Sequence, residues 1–168
     1  KKPVEGNYSN EYGTKLGGDV LWTSPSATFE ECKNKCDNYG DQCQQFELSA
    51  WNLNKSGGGV VPTFGEYNWD PTAKAKCSLT SSRNLISGDD KSITYTKLKT
   101  GQTIICHDYN PKGSIDEYGY TKYRYMGDNK MRWYPNKDIG KSWDPNYDDY
   151  LGTSCIGYEL GEDMKKKE

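Results

Sequence analysis

The chain has 168 residues, and only 33% of them are apolar, below the roughly 45–50% of an average soluble domain. Its 22 basic and 24 acidic residues leave a formal net charge of −2, so the sequence does not predict the basic surface that nucleic-acid binding requires. No apolar run approaches the roughly 18 residues that span a bilayer, so we expect no membrane insertion.

Six cysteines in a chain with so few core residues predict three disulfides and an oxidising compartment, which means a secreted, extracellular or virion-surface protein. The chain begins at Lys1 without an apolar leader, which indicates a mature form from which a signal peptide has been removed. Zinc is disfavoured because Cys32, Cys36 and Cys43 have no second closely spaced pair to complete a site. We therefore expect no metal and no cofactor.

The only histidine, His107, follows Cys106 directly. Neighbours on an extended segment point to opposite faces, and a disulfide would leave no free thiol, so a catalytic pair is disfavoured. We expect no enzymatic activity.

Residues 26–43 carry the signature of a helix, with Ser26 or Thr28 as the cap, acidic residues in the first turn and Gly40 beyond the end. Phe29, Cys32 and Cys36 would share the buried face. Alternation over residues 43–51 predicts a strand that buries Phe46 and Leu48. Further strands are predicted at 76–80 and 93–98, and residues 54–66 are predicted to form a long surface loop.

The cysteine spacing in this half resembles that of the PAN/apple domain over about residues 10–98. The resemblance rests on Cys32-x3-Cys36-x6-Cys43-x-x-Phe46, on Lys76-Cys77-Ser78-Leu79, and on the flanking segments 17–21 and 93–98. It implies one helix lying across an antiparallel sheet, held by the disulfides Cys32–Cys77 and Cys36–Cys43. The outer terminal disulfide of apple domains has no counterpart here, which is typical of the simpler PAN variants.

Cys36 near a helix end and Cys43 at a strand start would also close a short turn. With those pairs assigned, elimination leaves Cys106–Cys155, one choice among the connectivities that six cysteines allow.

Residues 99–168 are rich in tyrosine and poor in aliphatic residues. Aromatic, alternating segments at 118–125 and 130–134 flank Gly127-Asp128-Asn129, which predicts a β-hairpin. Residues 138–143 are predicted to form a short helix or turn. The predicted fold class is therefore α+β: a disulfide-bonded PAN-like domain at 1–98 and a mostly β, aromatic-rich, disulfide-closed module at 99–168.

Two motifs in this half, Trp133-Tyr134-Pro135-Asn136 and Ser142-Trp143-Asp144-Pro145-Asn146, are followed by Cys155 and the segment 160–164. Together they resemble a short module of surface-type proteins from large DNA viruses and algae, over about residues 104–164. The resemblance implies a surface setting and no particular activity.

The aromatic residues of this half have two interpretations. Rings that stack on sugars beside Asp and Asn side chains would make a glycan platform; its candidates are Trp133, Tyr134, Asn136, Trp143, Asp144 and Asn146. The rings could instead form the core, which a module with few aliphatic residues needs, and this is favoured for the two tryptophans themselves. Four tyrosines have glycine and aspartate as sequence neighbours, so we expect them to be exposed and to contact a ligand or another subunit. They are Tyr118, Tyr120, Tyr147 and Tyr150.

Other candidate sites are less specific. Asp144, Asp148 and Asp149 could bind calcium, but they lack the EF-hand spacing, so a solvated loop is favoured. Asn7 and Asn54 begin N-glycosylation sequons. Residues 164–168 are expected to form a solvated, disordered tail.

These features predict an extracellular, non-enzymatic binding or adhesion protein whose partner is a glycan or another extracellular protein. One alternative is a structural subunit that self-assembles into a fibre or virion surface layer. The other is a hydrolase that uses carboxylates near Trp143, although no carboxylate pair stands out.

Overall fold

The computed structural model describes residues 7–12, 14–49, 72, 74–88, 92–107, 109–113 and 120–168. The chain divides into two compact units: the first unit is Asn10–Lys97, and the second is residues 7–9 together with Leu98–Glu168. Both contain strands and a helix, so the predicted α+β class with mostly β structure is confirmed. The predicted loop at 54–66 and the end of the strand predicted at 43–51 lie outside the described residues.

The first unit contains a five-stranded antiparallel sheet and a separate two-stranded antiparallel sheet. Its strands are β1 (Glu11–Tyr12), β2 (Thr14–Leu16), β3 (Val20–Ala27), β4 (Gln45–Ser49), β5 (Ala75–Thr80), β6 (Leu85–Ser87) and β7 (Ser92–Thr96), with helix α1 (Phe29–Asn38) between β3 and β4. The sheet order is β1-β7-β4-β5-β3, while β2 pairs with β6. The strands predicted at 76–80 and 93–98 are confirmed as β5 and β7.

Helix α1 begins where the sequence predicts. The Thr28 hydroxyl accepts a hydrogen bond from the Glu31 N–H, and the Glu31 carboxylate accepts one from the Thr28 N–H, which together form a capping box. The chain leaves the helix through Gly40, whose φ of 62° suits a residue without a Cβ. Of the two predicted caps, Thr28 is therefore the one used.

The inner face of α1 packs on an aromatic core. Phe46 and Tyr95 stack with ring centroids 4.6 Å apart, and Phe29 meets both rings edge-on. Phe46 and Leu48 are fully buried, as predicted. The first unit thus places its helix against β4 and β5, at the middle of the sheet.

Two disulfides hold α1 in place. Cys32–Cys77 links the helix to β5, and Cys36–Cys43 links its last turn to the segment before β4. These are the pairs that the PAN/apple resemblance implies. By loop-closure entropy they contribute about 4 and about 2.5 kcal/mol respectively.

The second unit has a mixed sheet and a short helix. Its elements are β8 (Thr103–Cys106), β9 (Tyr123–Gly127), β10 (Lys130–Trp133), α2 (Lys137–Trp143), β11 (Leu151–Thr153) and β12 (Glu159–Leu160), in the sheet order β11-β8-β9-β10-β12. Asp128 and Asn129 turn the chain with φ of 51° and 62°, so the predicted hairpin is confirmed as β9 and β10. The predicted short helix or turn is the helix α2.

A disulfide also closes the second unit. Cys106, at the end of β8, is bonded to Cys155, and the bridge spans 49 residues. Cys155 packs in a core with Ile104, Tyr123 and Met131. This is the pair predicted by elimination, and no described cysteine carries a free thiol.

No helix within the described ranges is long and apolar enough to cross a membrane.

Candidate functional site

The two aromatic residues of the Trp-Tyr-Pro-Asn motif differ in how deeply they are buried. Trp133 is half-buried at the end of β10, with the Lys112 ammonium 5.1 Å from its ring centroid. Tyr134 is only 2% exposed and meets the ring of Tyr147 edge-on at 5.7 Å. Tyr134 is therefore a core residue and does not belong to an exposed platform.

Tyr147 also lies in the core, although its polar neighbours in sequence favour exposure. Its side chain is 0% exposed and packs with Tyr134 and Met164. The ring lies against Gly140 of α2, where no side chain intervenes. The expectation that Tyr147 is exposed is wrong, because the missing Cβ of a residue seven positions earlier makes room for its ring.

The polar members of the predicted platform mainly support the backbone. The Asn136 side chain caps α2 by accepting a hydrogen bond from the Ile139 N–H. The Asp144 carboxylate is buried and accepts from the N–H and hydroxyl of Thr103 and from the N–H of Asn146. Asp144 thus joins the end of α2 to β8, and its oxygens bond to the protein and not to a surface ligand. Asn146, in contrast, is exposed.

Trp143 is half-buried at the end of α2, and its ring lies among cations. The indole N–H donates to the Lys165 carbonyl at 2.7 Å. The Arg124 guanidinium lies 5.2 Å from the ring centroid, and the Lys167 ammonium lies 5.4 Å from it. The indole is thus fixed in orientation while part of it reaches the surface.

The C-terminal segment is held against the unit by main-chain hydrogen bonds. Met164 donates its N–H to the Trp133 carbonyl, and Lys167 donates its N–H to the Ser142 hydroxyl. Met164 is 2% exposed. Residues 165–168 are exposed, as predicted, but Met164 is buried. The prediction of disorder is wrong for Met164, Lys165 and Lys167, because their backbone groups form hydrogen bonds that the lysine-rich composition does not reveal.

Beside this segment lies an open groove of about 400 Å³, which we call the tail groove. Trp143 and Met164 supply its apolar surface, and charged side chains supply most of the rest. The lining residues are Arg132, Trp143, Glu162, Met164, Lys165, Lys166, Lys167 and Glu168.

The predicted tyrosine contacts form a second, smaller surface feature. Tyr120 is 45% exposed, and its ring centroid lies 5.2 Å from that of half-buried Tyr150. The buried Lys122 ammonium lies 5.1 Å from the Tyr150 ring and 3.9 Å from a carboxylate oxygen of Asp148. Tyr118 lies outside the described residues.

The two predicted glycosylation sequons differ in what the structure describes of them. Asn7 is exposed and its side-chain oxygen accepts from the Tyr125 hydroxyl, whereas Tyr8 and Ser9 are buried. Asn54 lies outside the described residues. Within the described part of the chain, no three His, Cys, Asp or Glu side chains are grouped so that they could hold a metal ion.

Sequence reasoning did not identify Arg132, which lines the groove, or Arg124, which lies next to the Trp143 ring. Arg124 and Arg132 are directly opposite each other in the β9–β10 register. A regular register drawn from the Asp-Asn turn would have paired Arg132 with Tyr125, because the turn does not reveal the β-bulge between Lys130 and Met131 that brings Arg124 opposite Arg132.

Comparison of the chain with models of protein families, with curated proteins and with solved structures finds no match.

Proposed function

We propose that this chain is an extracellular, non-enzymatic binding protein whose second unit binds carbohydrate in the tail groove. The observation that carries the proposal is the setting of Trp143, an indole fixed by its own N–H bond and placed in the wall of an open groove. Indole rings bind the apolar faces of sugars, and a ring that is already ordered loses little entropy when a ligand arrives.

Of the predicted platform residues, Trp143 lines the groove and is proposed to contact the ligand, whereas the buried Tyr134 and Asp144 are not. Tyr134 and Asp144 support the groove from inside the unit. Tyr134 packs with Tyr147 and Met164, and Asp144 accepts a hydrogen bond from Thr103 of β8. The polar groups for sugar hydroxyls would come from Arg132, Glu162 and the lysines of the tail.

We propose further that the first unit is a PAN-like domain. A helix lying on an antiparallel sheet and tied to it by Cys32–Cys77 and Cys36–Cys43 supports this assignment. The three disulfides of the chain also support an extracellular setting.

The proposal is tested by screening the protein against an array of neutral and acidic glycans, with Trp143→Ala beside the parent. We expect binding by the parent and a loss of tenfold or more in the variant, as for removal of a central aromatic contact. Tyr109→Ala is the matched control, because Tyr109 is 58% exposed and does not line the groove. No binding to any glycan, or equal losses in both variants, would refute the proposal.

A further inference from the structure

The positions of the positive charges around Trp143 indicate which glycans the tail groove accepts. Arg124 and Arg132 are cross-strand partners. Like charges at directly opposed positions of a sheet destabilise it. A pair placed this way needs negative charge nearby to offset the repulsion.

The described residues offer these two guanidinium groups only neutral acceptors. Arg124 donates to the Gly101 carbonyl and the Tyr134 hydroxyl, and Arg132 donates to the carbonyls of Glu162 and Asp163. Neither arginine forms an ion pair with a carboxylate among the described residues. Hydrogen bonds to neutral acceptors therefore hold both positive charges in place.

The lysine run of the tail adds to this field. The Lys165 carbonyl is bonded by the Trp143 indole, and the Lys167 N–H is bonded to Ser142, so the main chain holds the run along the groove. The side chains of Lys165–Lys167 are exposed and have no ion-pair partner in the described part of the chain. An arrangement ordered before binding loses less entropy on binding than a free tail would.

The lining of the groove is positive although the chain as a whole is negative. Four cations, Arg132 and Lys165–Lys167, face two carboxylates, Glu162 and Glu168, which gives a local formal charge of +2. The whole chain carries −2. Such a local reversal attracts anions to one face of the protein.

We infer that the tail groove binds a polyanionic glycan, a chain of sugars bearing carboxylate or sulfate groups. This inference rests on the proposed function and specifies its ligand class. Trp143 contacts a sugar face, while Arg132 and the tail lysines pair with the acidic groups, and Arg124, 5.2 Å from the indole centroid, adds its charge. An indole beside several cations suits an acidic sugar chain better than an acidic peptide, because the peptide has no sugar face to stack on the ring.

The test compares acidic and neutral polymers that share the same sugar backbone. Binding of the full chain is measured with polygalacturonate against its methyl ester and with dextran sulfate against dextran, and poly-glutamate serves as a non-sugar polyanion. We expect at least one acidic glycan to bind ten times more tightly than its neutral form, and the two pairs distinguish carboxylate from sulfate as the source of charge. Its affinity should fall roughly 20- to 40-fold between about 50 and 200 mM salt, as expected when about three ion pairs form.

Charge-reversal variants locate the contact. Lys166→Glu should weaken binding of the acidic glycan by tenfold or more, whereas Lys76→Glu, an exposed lysine of the first unit, should leave it unchanged. Equal binding of neutral and acidic polymers, or equal losses in the two variants, would overturn the inference while leaving carbohydrate binding intact. Poly-glutamate binding as tightly as the acidic glycan would also overturn it. Failure of every glycan to bind would instead refute the proposed function.

Discussion

Gly140 of α2 lies directly against the ring of Tyr147, and a Cβ atom on Gly140 would overlap Cε1 of that ring. Tyr147 in turn packs edge-on against Tyr134, beneath the surface that carries Trp143. Glycine is a poor helix former, so its place within α2 reflects this packing and not helix propensity.

Gly140→Ala should therefore destabilise the protein, although alanine is the better helix former. We expect a loss of about 3 kcal/mol, since the added methyl group cannot be accommodated without moving the ring or the helix. Thermal unfolding measures the loss, and Lys141→Ala, at the next and exposed position, should cost less than about 0.5 kcal/mol. In a Tyr147→Leu background the cost of Gly140→Ala should fall by at least half; an unchanged cost would show that the ring is not its cause.

Each disulfide can be removed by replacing both of its cysteines, and the loss of stability should be larger for the disulfide that closes the longer stretch of chain. The double variant Cys106→Ala/Cys155→Ala loses a link across 49 residues and should cost about 4 kcal/mol. Cys36→Ala/Cys43→Ala loses a link across 7 residues and should cost about 2.5 kcal/mol. Denaturant unfolding of the two variants gives the comparison, and a larger loss from the shorter link would contradict it.

The capping box at the start of α1 gives the first unit a defined dependence on acid. Hydrogen bonds from the backbone and hydroxyl of Thr28 lower the pKa of Glu31 below its usual value of 4.5. The unfolded chain thus takes up this proton at a higher pH than the folded one, so the stabilisation is present above pH 4.5 and is lost as pH falls towards the lowered pKa.

Thr28→Ala should cost about 1 kcal/mol at neutral pH and reduce the Glu31 part of the acid dependence, because the hydroxyl is lost while the N–H of residue 28 still donates to the carboxylate. Thr28→Ser keeps the hydroxyl and should retain most of both effects. Unfolding free energies measured across the acid range decide the matter, and parallel curves for the alanine variant and the parent would argue against the box.

Alkaline pH should weaken the second unit. Burial raises the pKa of Tyr123, Tyr125 and Tyr134 above the usual phenol value of 10.0. The unfolded chain then releases these protons at lower pH than the folded one, so their contribution is complete below pH 10 and declines as pH rises through the raised values.

Tyr134→Phe should make this alkaline decline shallower, because one of the three phenols with a raised pKa is removed. Tyrosinate absorbance recorded together with unfolding identifies the groups responsible. An identical alkaline slope in Tyr134→Phe and the parent would contradict the assignment.

Local sequence signals predicted the parts of the fold that depend on neighbours along the chain. Thr28 and Glu31 mark the start of α1, and Asp128-Asn129 marks the hairpin, because each residue acts through its own backbone and that of residues close by. Cysteine spacing and the PAN/apple resemblance predict Cys32–Cys77 and Cys36–Cys43, and elimination predicts Cys106–Cys155; the structure contains all three.

The candidate site could be predicted only in part, because its geometry depends on contacts between distant segments. Trp133 and Tyr134 are adjacent and aromatic, and only the position of Tyr147 shows which of them is buried. The tail is held by a bond from Trp143 to the Lys165 carbonyl, a group that every residue carries and no side-chain pattern marks.

The central claim, that carbohydrate binds beside Trp143, is tested most directly by titrating isotopically labelled protein with an acidic glycan and following its amide and indole N–H resonances. The chain has five tryptophans, so the indole signals can be assigned one by one. We predict that the Trp143 indole and the backbone amides of Lys165–Lys167 shift together and saturate at one affinity. Saturable shifts confined to the Tyr120 and Tyr150 surface or to the first unit, with the Trp143 indole unchanged, would contradict the account.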